Sequence, residues 1–241
     1  MGTCRFLSRS SLALGFFLLF SALAGEATLP PLNSLRRVSA EEQAKLVAEF
    51  EKSREGLTSF QASFIETMRW KAFTDETKTE GRLAYLPPNQ FRFERTSPST
   101  SLTVSDGKKL WMYYPEFKEA EEFALDTKEK LGEITDAINV AMGFNKAREG
   151  TAPFETVMYV GEGLYVLELA PREKKLKTLF AKVRIWLDHS WVAQQTEIIS
   201  NNGDHTTMRF VNPKRNEPIS AETFVFTPPP GVSVSRPLDK K

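Results

Sequence analysis

From Phe60 the chain alternates, with Phe60, Ala62 and Phe64 apolar and Ser59, Gln61 and Ser63 polar. That period of two places the apolar side chains on one face of a β-strand. Leu83 and Tyr85 resume it after a polar turn around Thr74 to Thr79. Pro87-Pro88-Asn89 breaks the chain, and Phe91 and Phe93 then face one way while Arg92 and Glu94 face the other. Asp106-Gly107, between Leu102/Val104 and the run Leu110 to Tyr114, suits a tight antiparallel hairpin because both residues tolerate positive φ. Gly161-Glu162-Gly163 and Asn201-Asn202-Gly203-Asp204 predict further hairpins. Between them Ala181, Val183, Ile185 and Leu187 alternate with Lys182 and Arg184, and Val192 to Ile199 and Thr206 to Phe210 read as more strands.

Two segments carry helical spacing instead. Ser39 followed by Glu42 has the form of a capping box, and Leu46, Val47, Phe50 and Leu57 predict an amphipathic helix from about Ala40 to Glu55. Ile134, Ala137, Ile138, Ala141 and Met142, with Gly143 as a stop, predict a second. The resulting expectation is a mainly β fold with α. A single strongly curved antiparallel sheet would have its concave face covered by the two helices and filled with apolar groups.

The N-terminus has a different character. Arg5 and Arg9 precede an apolar stretch from Leu12 to Phe20, and Ala22-Leu23-Ala24 offers the small residues of a cleavage site, so residues 1–24 are expected to be a secretory signal peptide. The stretch is shorter than the roughly 20 residues needed to span a membrane. Cleavage after Ala24 would remove Cys4 and leave a nearly neutral chain without a cysteine to lipidate, hence a soluble protein outside the cytoplasm. Residues 25–38, with Pro30, Pro31, Asn33 and Ser34 and no apolar period, predict an extended leader that packs little. Residues 39–241 are expected to form one domain.

Composition narrows the function by exclusion. In 241 residues, 32 Lys and Arg face 31 Asp and Glu, so no basic field exists to hold nucleic acid. One cysteine and two histidines cannot build a Cys/His zinc site or a disulfide framework. No GxSxG, HExxH or Walker loop occurs, and the Gly161/Gly163 pair leads into a strand rather than a helix. His189 sits in a turn, His205 opens a strand, and Glu121-Glu122 reads as solvated charge. Nothing nominates an enzyme, a metal or a cofactor. What remains is apolar surface: Trp111, Tyr113 and Tyr114 in one strand and large side chains at the inward parity of several others. In a sheet bent around a cavity, the same side chains serve as core when the helices close and as ligand wall when they open.

Several strings resemble the periplasmic outer-membrane lipoprotein carrier family, LolA. They are Leu57-Thr58-Ser59-Phe60-Gln61-Ala62-Ser63-Phe64, Gly81-Arg82-Leu83 and Pro88-Asn89-Gln90-Phe91-Arg92-Phe93. The run Val104 to Tyr113 with Pro115, and the ending Phe224-Val225-Phe226-Thr227-Pro228-Pro229-Pro230-Gly231-Val232, continue the likeness, while Glu116 to Ile219 match mainly in layout. The resemblance implies an incomplete barrel of about eleven strands with helices as a lid over a hydrophobic cavity. It implies a monomeric carrier that takes lipoproteins from an inner-membrane lipoprotein-releasing ABC transporter to an outer-membrane lipoprotein receptor. By position, Phe60, Phe64, Met68, Leu83, Tyr85, Phe91, Phe93, Leu102 and Val104 should line the cavity, with Ile134, Ile138, Ala141 and Met142 on the lid. One departure stands out: where typical members have an Arg-Pro pair whose arginine holds the lid closed, this chain has Pro87-Pro88.

A carrier also follows from the cost of exposing hydrocarbon. At about 0.8 kcal/mol per methylene, an acyl chain of roughly 15 methylenes costs on the order of 12 kcal/mol to hold in water. A cover that competes with cargo for the wall lowers net affinity enough for release. Two other readings are a periplasmic lipid-sensing or regulatory protein on the same fold, which usually carries a second domain, and a lipid hydrolase, which lacks a nucleophile motif. The cargo could be a protein-linked lipid or a free glycolipid.

Overall fold

Thirteen strands join in one sheet in a computed structural model that describes residues 29–125, 154–161, 163–174, 176–178 and 180–237. The strands are β1 (Arg36–Arg37), β2 (Phe60–Arg69), β3 (Glu76–Leu86), β4 (Gln90–Ser97), β5 (Ser101–Asp106), β6 (Lys109–Tyr114) and β7 (Glu119–Ala124). They continue with β8 (Phe154–Gly161), β9 (Leu164–Pro171), β10 (Lys182–Asp188), β11 (Ala193–Ile199), β12 (His205–Arg215) and β13 (Ser233–Ser235). The order is β1-β8-β9-β10-β11-β12-β2-β3-β4-β5-β6-β7-β13, so the two ends of this large curved sheet do not meet and the barrel is unclosed. Every pairing is antiparallel except the short parallel contact of β13 with β7. The eleven longer strands, β2 to β12, match the expected number, and the two added strands are short edge pieces. From Leu32 onward the described chain forms one compact unit.

Helix α1 (Ala40–Glu55) is the α-helix of the described residues. Ser39 caps it, its Oγ accepting from the Glu42 amide at 3.2 Å. Only half of the capping box forms, because the Glu42 carboxylate turns to Arg36 and accepts two hydrogen bonds, at 2.8 and 3.0 Å. Leu46, Phe50 and Arg54 recur at intervals of four and are buried toward the sheet. The second predicted helix, with Ile134, Ile138, Ala141 and Met142, lies outside the described residues.

Two local expectations change. The leader packs: Arg36 and Arg37 pair with Val160 and Tyr159, the Val38 amide donates to Met158 O at 3.1 Å, and Val38 joins the core. Backbone pairing to an open sheet edge needs no apolar period, which is why composition hid it. The Asp106-Gly107 hairpin bends one residue later than its dipeptide suggested. Asp106 still pairs with Gln90, Gly107 takes φ +90°, and the Asp106 carboxylate receives the amides of Lys108 and Lys109 at 2.8 and 2.7 Å.

The sheet has two differently covered faces. The one beneath α1 carries Phe60, Ala62, Phe64, Leu83, Tyr85, Phe91, Leu110, Met158, Leu167, Val183, Ile185, Met208 and Phe210 in one buried cluster with Leu46 and Phe50. The outer face carries charge ladders. Glu168 accepts from Lys182 at 2.9 Å and Arg184 at 2.7 Å, and Arg184 reaches on to Glu197 at 2.9 Å. Burial acts to push the Glu168 carboxyl up, but these hydrogen bonds and charges outweigh it, so it titrates below the ordinary carboxylate range.

Gly81 is the tightest point. A Cβ there would lie 2.2 Å from the Glu94 carbonyl oxygen and 2.3 Å from the Phe64 ring. We expect Gly81→Ala to lower stability by about 1–3 kcal/mol in denaturant titration. Gly161→Ala should cost less, since its Cβ would meet only the flexible end of Leu35. Glu168 stabilises fully above about pH 4.3 and ceases to as pH falls through its lowered folded value. Glu168→Gln should therefore be less stable than wild type at neutral pH, and the gap should narrow as pH falls below about 4.3 and close once it passes the lowered folded value.

Candidate functional site

The register assembles a continuous apolar wall under α1. Phe60 stands opposite Tyr85 and Ala62 opposite Leu83, and these two β3 residues stand opposite Phe91 and Phe93 in turn. Phe64 faces Gly81 on one side and Phe210 on the other. With no side chain on Gly81, the Phe64 ring crosses that position and stacks on Phe93, centroids 4.5 Å apart and planes 12° apart. Phe210 also meets Phe60 edge-on at 5.5 Å. The wall continues through Met208, Thr196, Ile185, Leu167 and Met158, which are successive cross-strand neighbours from β12 to β8.

Polar groups border the wall at defined points. Glu66 is buried on the same face as Phe64, and Arg95 grips its carboxylate with Nε at 2.9 Å and Nη2 at 3.2 Å. The same guanidinium lies 4.7 Å over the Phe93 ring. The Tyr85 hydroxyl donates to Pro88 O at 3.4 Å, and burial pushes its pKa up to about 12, so it stays neutral. Gln43 fastens α1 to the sheet: its Nε2 donates to Thr156 O at 2.8 Å and its Oε1 accepts from the Met158 amide at 3.2 Å. Near the C-terminal end of α1, Arg54 Nη2 donates to Trp191 O, and the Trp191 ring stacks on Tyr165 at 4.3 Å.

The structure brings Phe60, Phe64, Leu83, Tyr85, Phe91 and Phe93 together in or against this cluster. Met68 shares their face but lies beyond the Glu66–Arg95 pair and is half-buried outside the cluster. Leu102 and Val104 do not join them. They stand opposite Glu94 and Arg92, on the outer face, while Thr103 and Ser105 stand opposite Phe93 and Phe91. Their cover is the C-terminal segment: the short 3-10 turn Ala221–Phe224 lies against β4 and β5, and Arg92 donates to Thr223 O at 3.5 Å. Trp111 and Tyr113 join that outer layer, meeting Phe226 at 5.6 and 5.2 Å.

The wall residues of β8 to β12 were absent from the sequence-derived lining, although the alternation Val183, Ile185, Leu187 signals them. The likeness to the family is dense only as far as Pro115, so it passed over them. On the outer face a groove of about 380 Å³ is lined by Gln61, Arg82, Arg92, Glu94, Lys214 and Thr223 among others. Ala62, Leu83, Ala84 and Val211 also line it, so charged and apolar groups alternate there. Among the described residues no group of three His, Cys, Asp or Glu side chains could hold a metal ion.

The family model described as "Outer membrane lipoprotein carrier protein LolA" matches residues 55–227. An "Outer-membrane lipoprotein carrier protein" of Xanthomonas oryzae pv. oryzae is 31% identical over 158 residues, which are 65% of this chain and 71% of the relative. A protein of the same name from Pseudomonas aeruginosa PAO1 is 30% identical over 157 residues, again 65% and 71%. Among solved structures, an uncharacterized conserved protein from Thermus thermophilus superposes with TM-score 0.47 at 13% identity, covering 80% of this chain and 99% of that one. A LolA superfamily protein from Nitrosomonas europaea superposes with TM-score 0.40 at 12% identity, covering 76% and 97%. With a matching family model over most of its length and relatives at about 30% identity, this chain belongs to the LolA family of outer membrane lipoprotein carrier proteins.

Proposed function

We propose that this protein is a periplasmic carrier that shelters the acyl chains of lipoproteins, receiving them at the inner membrane and delivering them to the outer membrane. The observation that carries the reading is the apolar wall beneath α1, built from Phe60, Phe64, Leu83, Tyr85, Phe91 and Phe93 and continued through β12 to β8. Family membership supplies the class of cargo. No helix among the described residues is long and apolar enough to cross a membrane.

Because the wall is already buried, acyl chains reach it only by displacing its cover. Among the described residues α1 is such a cover, since Leu46 and Phe50 belong to the same cluster as the wall. Its attachment through Gln43 consists of two hydrogen bonds, each worth about 1 kcal/mol net. Cargo and cover compete for one surface, so the affinity that remains is a difference between two large burial terms. Such a difference permits release, whereas an uncovered wall would hold acyl chains too tightly to pass them on. Gln43 thus does part of the work that an arginine at the position of Pro87 performs in typical members of the family.

Two measurements test this. Phe93→Lys, at a half-buried ring, should cut recovery of co-purified acyl material and uptake of a lipoprotein from donor membranes by roughly tenfold per folded molecule, a loss of about 1.4 kcal/mol of binding, with the folded fraction followed by circular dichroism because the ring also stacks on Phe64. Unchanged uptake and no extractable acyl material from wild type would refute the carrier reading. Gln43→Ala should lower stability by about 1–2 kcal/mol yet increase uptake of an apolar fluorophore, because the cover then yields more easily.

A further inference from the structure

Two arginines at the α1 end of the wall each keep a buried donor unpaired, and the charge of one acts on the other. Arg54 is 4% exposed and its guanidinium carbon lies 4.7 Å from the Phe50 ring centroid. Arg215, the last residue of β12, stands opposite Phe60 in the register and is half-buried. The Nε of each is fully buried and has no hydrogen-bond partner. The carboxylate whose charge acts on both is Asp188. Its oxygens are already engaged: Oδ1 accepts from the amides of Ser190 at 2.8 Å and Val192 at 2.9 Å, and Oδ2 accepts from Gln194 at 3.0 Å. Burial, followed by repulsion from Arg215 and against the pull of Asp188, lowers the Arg54 pKa to about 9. The cluster therefore holds an excess of positive charge and unspent donors in a site where water competes poorly.

A guanidinium fork is shaped for a planar or tetrahedral oxyanion, and two of them bordering aromatic rings suit an anion attached to hydrocarbon. Phe60 beside Arg215, and Phe50 beside Arg54, supply the apolar side of that match. We propose that Arg54 and Arg215 form an oxyanion site at the end of the acyl-binding wall, taking the carboxylate or phosphate head of an acyl amphiphile. The inference rests on the carrier reading for the tail but not for the head. An ester or amide linkage brings no charge of its own, so these arginines distinguish acyl ligands by head group, a fatty-acid carboxylate or a phospholipid phosphate, which the wall accepts in addition to lipoprotein chains.

The test uses the delipidated full-length chain with palmitate, hexadecanol and inorganic phosphate, followed by tryptophan fluorescence and thermal melting. Wild type should bind palmitate at least about tenfold more tightly than hexadecanol, the value of one or more charge-assisted hydrogen bonds. Arg215→Gln should erase that preference without weakening hexadecanol, and Arg54→Gln should do the same if it folds; Arg215, being half-buried, is the primary variant. Equal affinities in wild type, with no effect of phosphate on melting, overturn the proposal. Stabilisation by phosphate that Arg215→Gln abolishes, with both acyl probes bound alike, overturns the lipid-borne head and leaves a free oxyanion as the ligand. If neither acyl probe binds while phosphate still stabilises wild type and not Arg215→Gln, the carrier reading fails together with the lipid-borne head, and only a free-oxyanion site remains.

Discussion

The wall depends on the way Phe64 is seated. Its ring occupies the space that any side chain at position 81 would take, and from there it stacks on Phe93, which in turn carries the Arg95 guanidinium. Glu66 fixes that guanidinium from the neighbouring position on the same strand face. Three strands are thereby locked in register by one missing Cβ, one stacked ring pair and one buried ion pair. A slip of one residue would turn every aromatic side chain of β2 to the outer face, so the register and the wall are the same constraint.

An unclosed sheet with large apolar groups on both faces needs two covers, and the covers here differ in kind. The outer apolar patch of Leu102, Val104, Trp111 and Tyr113 lies under the C-terminal segment around Phe224 and Phe226, which β13 ties to the sheet edge by backbone pairing. The opposite face lies under α1, held by side-chain contacts such as Gln43 and Arg54. The β13 pairing runs over three residues, while the docked helix relies mainly on its buried stripe. The face beneath α1 is thus covered by a helix held through side chains, and the outer face by a segment held in part through backbone pairing.

Much of this was legible in the chain. The alternation around Phe60, Leu83 and Phe91 located strands and their apolar parity, and the Ser39 to Leu57 spacing located α1. Strand β5 shows where that logic ends. Leu102 and Val104 alternate with Thr103 and Ser105 as cleanly as any other pair, yet the apolar set faces outward. Periodicity states which residues share a face and leaves open which face turns inward. The leader escaped for a related reason, because edge pairing by Arg36 and Arg37 uses backbone groups that every sequence possesses.

The amino-acid order alone determined α1, most of the longer strands and which of their residues share a face, because those follow from interactions between residues a few positions apart. Only the tertiary structure decided which cover each face receives, that Glu66 meets Arg95, and that Arg54 and Arg215 are each left with a buried unpaired donor. Such meetings depend on the accumulated register of many strand pairs, and no local pattern of hydrophobic and polar positions carries that sum.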